Sequence, residues 1–192
     1  PAGASFGNLI HDALEQLPFA ELATGEMHVA EIDQLCKRYG MGHASDGVRG
    51  LLATVVRAPL APGENGFSLA GLAAEHILAE MEFYFHMSGL DTRRINEALA
   101  SDPAVRPLGA KAILPGFVDL VCLHDDRYYI LDYKTNFLGQ HLEDYSPEKL
   151  VAAMASHNYG LQYWIYSLVL HRYLENVLPG YDFARQFGGV YY

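Results

Sequence analysis

Two apolar, strand-like runs, each interrupted by a carboxylate, constrain this chain more than any other feature. They are Gly116-Phe117-Val118-Asp119-Leu120-Val121 and Tyr128-Tyr129-Ile130-Leu131-Asp132-Tyr133-Lys134. Asp125-Asp126 between them suits a two-residue turn, which sets His124 opposite Arg127 and, by register, Asp119 opposite Asp132. Side chains that face each other across antiparallel strands have Cβ atoms roughly 5 Å apart. Two carboxylates that close repel, and burying them uncompensated would cost several kcal/mol. A divalent cation between them is the simplest compensation. Lys134 lies two residues beyond Asp132 and therefore shares its face, because side chains alternate along a strand. A solvated hairpin face is the plainer alternative, but acids set within otherwise buried strands are unusual unless paired or metal-bound. The pattern reads as a metal-dependent hydrolytic centre.

Bulk properties narrow the class. A length of 192 residues, 51% of them apolar, suits one domain with a real core. The formal net charge of −10 argues against a free-standing nucleic-acid binder, which carries a basic stripe. It does not argue against a nuclease centre, where acids hold metal, and DNA would then arrive from a more basic neighbour. The two cysteines, Cys36 and Cys122, stand in no ligand spacing, and a reducing, cytoplasmic setting is the economical inference. No apolar stretch is long enough for a membrane span, and the N-terminus has no signal-peptide pattern. The chain starts at Pro1 and stops at a β-prone Gly188-Gly189-Val190-Tyr191-Tyr192 run, so residues 1–192 are expected to be a single domain cut from a longer polypeptide.

Along the chain, Ser5 to about Leu17 has helical spacing, with Ser5 as N-cap and Pro18 as stop. Gly7 and His11, one turn apart, share a face beside the apolar stripe, so the missing side chain at Gly7 leaves room for something large to approach His11. Two helices broken near Gly40-Met41-Gly42 are expected from Val29 to Ala58, then a loop to Ser68. Ile77 to His86 alternates as a strand, and a polar helix capped by Asp91 follows, from Thr92 to about Ala100. The hairpin spans about Lys111 to Lys134. Ser146-Pro147-Glu148 opens a helix that runs to about Asn158, with Gly160 as the break before a longer helix from Leu161 to about Leu178. Helix, strands, long helices and a final strand suggest an α/β or α+β sandwich with a mixed sheet.

Other candidates are weaker taken singly. His11 alone is an ordinary helix-surface histidine and matters only if its helix packs beside the hairpin. Glu82 has the same status, although its aromatic neighbours suggest a half-buried strand. Gln162 and Tyr166, four apart, share a helical face and could contact a phosphate or base. Gly3-Ala4-Ser5-Phe6-Gly7 mimics a serine-hydrolase elbow but lacks the preceding strand. Helix capping accounts for the Ser-x-x-Lys match at Ser146. No His-Glu-x-x-His and no phosphate-binding Gly-x-x-x-x-Gly-Lys loop is present, which excludes metalloprotease and stand-alone NTPase readings.

Together, Gly7-Asn8-Leu9-Ile10-His11, Met81-Glu82-Phe83-Tyr84, Gly116-Phe117-Val118-Asp119, Leu131-Asp132-Tyr133-Lys134 and Gln162-Tyr163-Trp164-Ile165-Tyr166 resemble the successive motifs of the RecB-type nucleases of the PD-(D/E)xK superfamily. The resemblance is dense from Lys111 onward and at the first helix; from Phe19 to Glu75 little is specific. It implies a restriction-endonuclease-like α/β core, a mixed central sheet flanked by helices. It implies metal ligation by His11, Asp119, Asp132 and the Tyr133 carbonyl, with Lys134 as catalytic lysine and Glu82 as an accessory acid. Gln162 and Tyr166 would form a helical motif beside the substrate. The implied activity is that of an exodeoxyribonuclease of the exonuclease V type, acting on single-stranded or unwound DNA in recombinational repair. Mg²⁺ is the implied ion, with Mn²⁺ as a substitute and Ca²⁺ able to bind without supporting chemistry. The four cysteines of the iron–sulfur branch are lacking, so no cluster is expected. The implied partners are a helicase motor upstream in the same chain and RecC- and RecD-like subunits. A catalytically silent or partner-gated module for DNA binding or subunit docking is the rival. Loss of Asp119, Asp132 or Lys134 would mark a silent module, and all are present.

Overall fold

Apolar spacing and turn residues divide the chain into short helices, a hairpin and two closing helices. In the computed structural model, which describes residues 3–60, 66–84, 92–103, 105 and 115–192, the first helices are α1 (Ala4–Gln16), α2 (Phe19–Leu22), α3 (Val29–Arg38) and α4 (Ser45–Arg57). The strand β1 (Ile77–Tyr84) precedes α5 (Thr92–Leu99), and the hairpin is β2 (Pro115–His124) with β3 (Arg127–Leu131). Then come α6 (Pro147–Ser156), α7 (Tyr159–Val177), the single turn α8 (Phe183–Gln186) and β4 (Phe187–Tyr191). The strands form a sheet in the order β1–β2–β3–β4. The expected mixed α/β architecture is present.

The chain divides into two compact units. One comprises Pro1–Met81, Asp119–Phe137 and Tyr191–Tyr192; the other comprises Glu82–Val118 and Leu138–Val190. The first holds a continuous core. Leu9, Ala13 and Leu14 of α1 meet Ile32, Leu35 and Cys36 of α3, Leu52 and Val56 of α4, and Leu120, Cys122 and Leu131 of the hairpin. Leu9, Leu52 and Val56 are wholly removed from water. Burial on that scale is the main favourable term holding α1 against the hairpin. In the second unit, α7 buries Leu161 and, at i, i+4 spacing, Tyr166, Leu170 and Leu174, one stripe of an amphipathic helix.

Boundaries differ from the expectation where capping is concerned. The first helix starts at Ala4 rather than after a Ser5 cap, because Gly3 at φ 97° turns the chain into it. Helix α6 stops at Ser156, and α7 begins at Tyr159 with Gly160 inside its first turn. The break is Asn158, left-handed at φ 57°, a conformation asparagine tolerates better than most residues. Gly160 is not the breaker. Ser146 stands at the N-cap of α6 as expected, although its side chain makes no capping bond. The expected ends at Phe85-His86, Asp91 and Lys111–Leu114 lie outside the described residues.

The hairpin turn is as the sequence predicts. His124 pairs with Arg127, and Asp125 and Asp126 both have positive φ, 47° and 58°. That is the pattern of a two-residue type I′ turn. An L residue held left-handed is strained, so Asp126→Gly is expected to stabilise the protein by about 0.5–1 kcal/mol. Urea denaturation of the two proteins checks this; an unchanged or lower midpoint would contradict the turn assignment.

Candidate metal centre

The hairpin register carries the two acids to its open end. The last strand pair is Leu120 with Leu131, so one further step aligns Asp119 with Asp132. Beyond that pair the chain leaves the β2–β3 ladder and is pinned by other bonds. Asp132 N–H donates to the Tyr191 carbonyl at 3.0 Å, and Tyr133 N–H donates to Asp119 Oδ2 at 2.7 Å. Asp132 is 4% exposed. Its Oδ1 accepts from Lys134 Nζ at 2.5 Å, while its Oδ2 is buried with no hydrogen-bond partner. An orphaned, buried carboxylate oxygen costs free energy unless something fills it. Lys134 therefore shares a site with Asp132, as strand alternation predicts, although both residues lie just past β3. Its ammonium also sits 5.3 Å from the Tyr192 ring centre, a cation–π contact.

Helix α1 brings in the histidine. The burial of Leu9, Ile10, Ala13 and Leu14 fixes its rotation, and His11 then falls over the end of the hairpin. His11 Nε2 lies 3.0 Å from the Tyr133 carbonyl, and Nδ1 lies 3.5 Å from Asp119 Oδ1. Both neighbours are acceptors, so the ring satisfies both only as the imidazolium. Its pKa is raised accordingly, first by the hydrogen bond to Asp119, against the opposing effect of burial. The group that approaches Gly7 is Thr135: a Cβ on Gly7 would lie 3.0 Å from its Oγ1. Gly7 thus lets α1 close on the segment that carries Lys134, one turn before His11.

Glu80 completes the group and was not singled out by the sequence. Ligand atoms of His11, Glu80 and Asp119 all lie within 4.8 Å of one another. Glu80 has φ 51° within β1, a conformation a non-glycine residue adopts only under strain. Strain of this kind clusters at functional sites. Its pKa is raised by burial and by the negative charges of Glu15 and Asp119. Alternation along Glu80-Met81-Glu82 puts both glutamates on one face, and nothing in the residue types singles out the first. Glu82 lies in the second compact unit, as do Gln162 and Tyr166. Gln162 Nε2 donates to the Tyr166 hydroxyl at 2.5 Å, and that hydroxyl donates to the Phe117 carbonyl at 2.7 Å.

Burial raises Asp119, but the His11 imidazolium and the Tyr133 N–H outweigh it, so its pKa is lowered. Asp132 is pushed up to about 6 by burial and by Asp119, with Lys134 only partly offsetting them. His11, Glu80 and Asp119 offer two carboxylates and one imidazole close enough to share a divalent cation, while Asp132 is not among the groups within that distance. The orphaned Asp132 oxygen and the imidazolium between two acceptors fit a cation: the proton on His11 supplies the positive charge a metal ion would bring.

Comparison with known proteins agrees with this geometry. A family model described as the PD-(D/E)XK nuclease superfamily matches residues 1–192. The chain belongs to the PD-(D/E)XK nuclease superfamily. It is similar to the RecBCD enzyme subunit RecB of Escherichia coli (strain K12), 36% identical over 204 residues, a match that covers all of this chain and 16% of that protein. The RecB subunit of Haemophilus influenzae is also 36% identical, over 199 residues and 16% of its length. That of Mycolicibacterium smegmatis is 34% identical over 222 residues and 20% of its length. The chain therefore spans a fifth or less of the length of these relatives.

Asp132 makes the metal-free domain sensitive to pH. Its pKa is higher in the folded chain than in the unfolded one, so the folded state holds the extra proton and stability falls as pH rises from about 4 through about 6. Asp132→Asn removes that penalty. In EDTA at pH 7.5 the variant is expected to be more stable than the parent by on the order of 2 kcal/mol, with the difference gone near pH 4. Thermal melts at both pH values check the sign; a variant less stable at pH 7.5 would contradict a strained, ionised Asp132.

Proposed function

We propose that this nuclease domain is a Mg²⁺-dependent exodeoxyribonuclease module. It hydrolyses phosphodiester bonds in DNA unwound by a helicase during recombinational repair of double-strand breaks. The observation that carries this reading is the hairpin end itself: Asp119, Asp132 and Lys134 converge with His11 and the Tyr133 carbonyl in a chain that matches the nuclease superfamily throughout. His11, Asp119, Asp132 and the Tyr133 carbonyl would hold the cation, and Glu80, close to His11 and Asp119, would be a further donor. When bound, the ion supplies an acidified water and neutralises charge on the scissile phosphate.

The chain's own residues do the rest. Asp119 is already ionised by its hydrogen bonds and is ready to act as a ligand. His11 must give up its proton to ligate, as must Asp132 where it is protonated, so metal uptake releases protons and tightens as pH rises. Lys134, held beside Asp132, would donate to the attacking water or to the developing phosphorane charge. Gln162 and Tyr166 would orient the strand. The net charge of −10 favours delivery of DNA by a more basic partner, in keeping with RecC- and RecD-like subunits and an upstream motor. The same charge supports a second reading, in which the geometry is intact but cutting waits for that partner.

Cleavage of end-labelled, linear single-stranded DNA with Mg²⁺ tests the proposal. Activity is expected to disappear in EDTA and to fall at least about a hundredfold in Asp132→Ala and Lys134→Ala. Cutting that survives EDTA or Asp132→Ala would overturn the metal centre. Calorimetric titration with Mn²⁺ between pH 6 and pH 8 is expected to show affinity rising with pH, and the rise should be blunted in His11→Ala. A flat profile in the parent would remove His11 and Asp132 from the ligand set.

A further inference from the structure

The second compact unit contains a cavity of about 300 Å³ that the metal centre does not use. Its walls are Phe83, His157, Tyr159, Gln162, Ile165 and Tyr166. Two aromatic pairs are among the lining residues. His157 stacks on Tyr159 with ring centres 5.1 Å apart and planes 15° from parallel. Phe83 meets Tyr166 edge to face at 5.5 Å. Asn158, left-handed at φ 57°, stands between the two stacked residues in sequence. Gly116 also lines the cavity, and a Cβ there would collide with the Phe83 ring, so the glycine is what lets that ring lie against β2.

Among the described residues lining the cavity, Gln162 carries a buried side-chain atom with no hydrogen-bond partner. The Tyr166 hydroxyl spends its proton on the Phe117 carbonyl, so toward Gln162 it can only accept. That fixes the amide: Nε2 donates to Tyr166, and Oε1 is left buried with nothing to bond. An occupant should therefore be flat enough to stack on aromatic rings and should carry an N–H. Among the described residues the lining includes no lysine or arginine, which favours an uncharged occupant over a phosphate. Every DNA base has an N–H on its pairing edge, and in a duplex that N–H is spent on the opposite strand. An acceptor that takes any pairing-edge N–H admits unpaired bases and rejects paired ones.

We propose that this cavity is a subsite for one unpaired nucleobase, stacked against His157–Tyr159 and hydrogen-bonded through its pairing edge to Gln162 Oε1. The proposal rests on the nuclease reading above and adds a reason for single-strand selectivity. The subsite is tolerant of sequence, because stacking serves every base. Tyr159 and His157 form its platform, and Gln162 is its discriminator.

Binding in EDTA separates this subsite from catalysis. The probe is a single-stranded oligonucleotide containing 2-aminopurine, compared with its blunt duplex and with a strand bearing a run of abasic sites. The expected result is quenched 2-aminopurine emission with the single strand, and an affinity about tenfold lower in Tyr159→Ala. Tyr159→Phe should retain both, which controls for folding. Gln162→Leu should weaken single-strand binding and leave duplex binding unchanged. Equal affinity for the abasic and parent strands, or no effect of both Tyr159→Ala and Gln162→Leu, would overturn the subsite. Mg²⁺-dependent cutting without quenching would sink the subsite and leave the nuclease reading standing. Quenching in a parent that never cuts would sink the catalytic reading and leave a base-binding pocket.

Discussion

Like-charge repulsion between Asp119 and Asp132 is the constraint on which the rest of the site depends. The two acids lie just beyond the last paired residues of the hairpin, close enough for Asp119 to raise the pKa of Asp132, and Asp132 is almost wholly excluded from water. Without help, such a pair would push the hairpin end apart or take up a proton. The protein answers with nearby positive groups and donors: the His11 imidazolium and Tyr133 N–H on Asp119, and Lys134 on Asp132. The balance is incomplete, since Asp132 keeps a raised pKa and an unbonded oxygen. An incompletely compensated site is poised to accept a cation.

That compensation is held in place by apolar packing some distance from the charges. Helix α1 brings His11, Asp12 and Glu15 to the site, together with the absence of a side chain at Gly7. Its position comes from Leu9, Ala13 and Leu14 in the core. The bonds of the Asp132–Tyr133 segment to Tyr191, Asp119 and His11 then orient the carbonyl and the carboxylates as one unit. Precision at the centre therefore comes from a rigid core and a short pinned segment. The centre belongs to one compact unit, and the aromatic cavity belongs to the other.

Several parts of the site were legible in the sequence for clear physical reasons. An Asp-Asp pair between β-prone runs dictates the turn, the turn dictates register, and register dictates which acids meet. The pairing of Lys134 with Asp132 was expected from strand alternation and is present although both residues lie past β3, and the Gly7–His11 spacing pointed to a close approach, which Thr135 makes. Glu80 was not legible. Its place follows from a left-handed backbone inside a strand, which glutamate does not advertise, and the neighbouring Glu82 carries the same local signal. The ends of α6 and α7 were misjudged because a left-handed asparagine did the work assigned to Gly160.

By itself, then, the sequence determined the hairpin, its register, the presence of a carboxylate pair with a lysine on one face, and the helical faces that bury apolar residues. These depend on short-range geometry: turn type, a two-residue strand period and a helical period. Only the tertiary structure decided that His11 spans Tyr133 and Asp119, that Glu80 joins them, and that Gln162 keeps an unbonded oxygen in an aromatic-walled cavity. Those facts depend on contacts between residues far apart in the chain, such as His11 and Tyr133, where packing rather than local pattern sets which atoms meet.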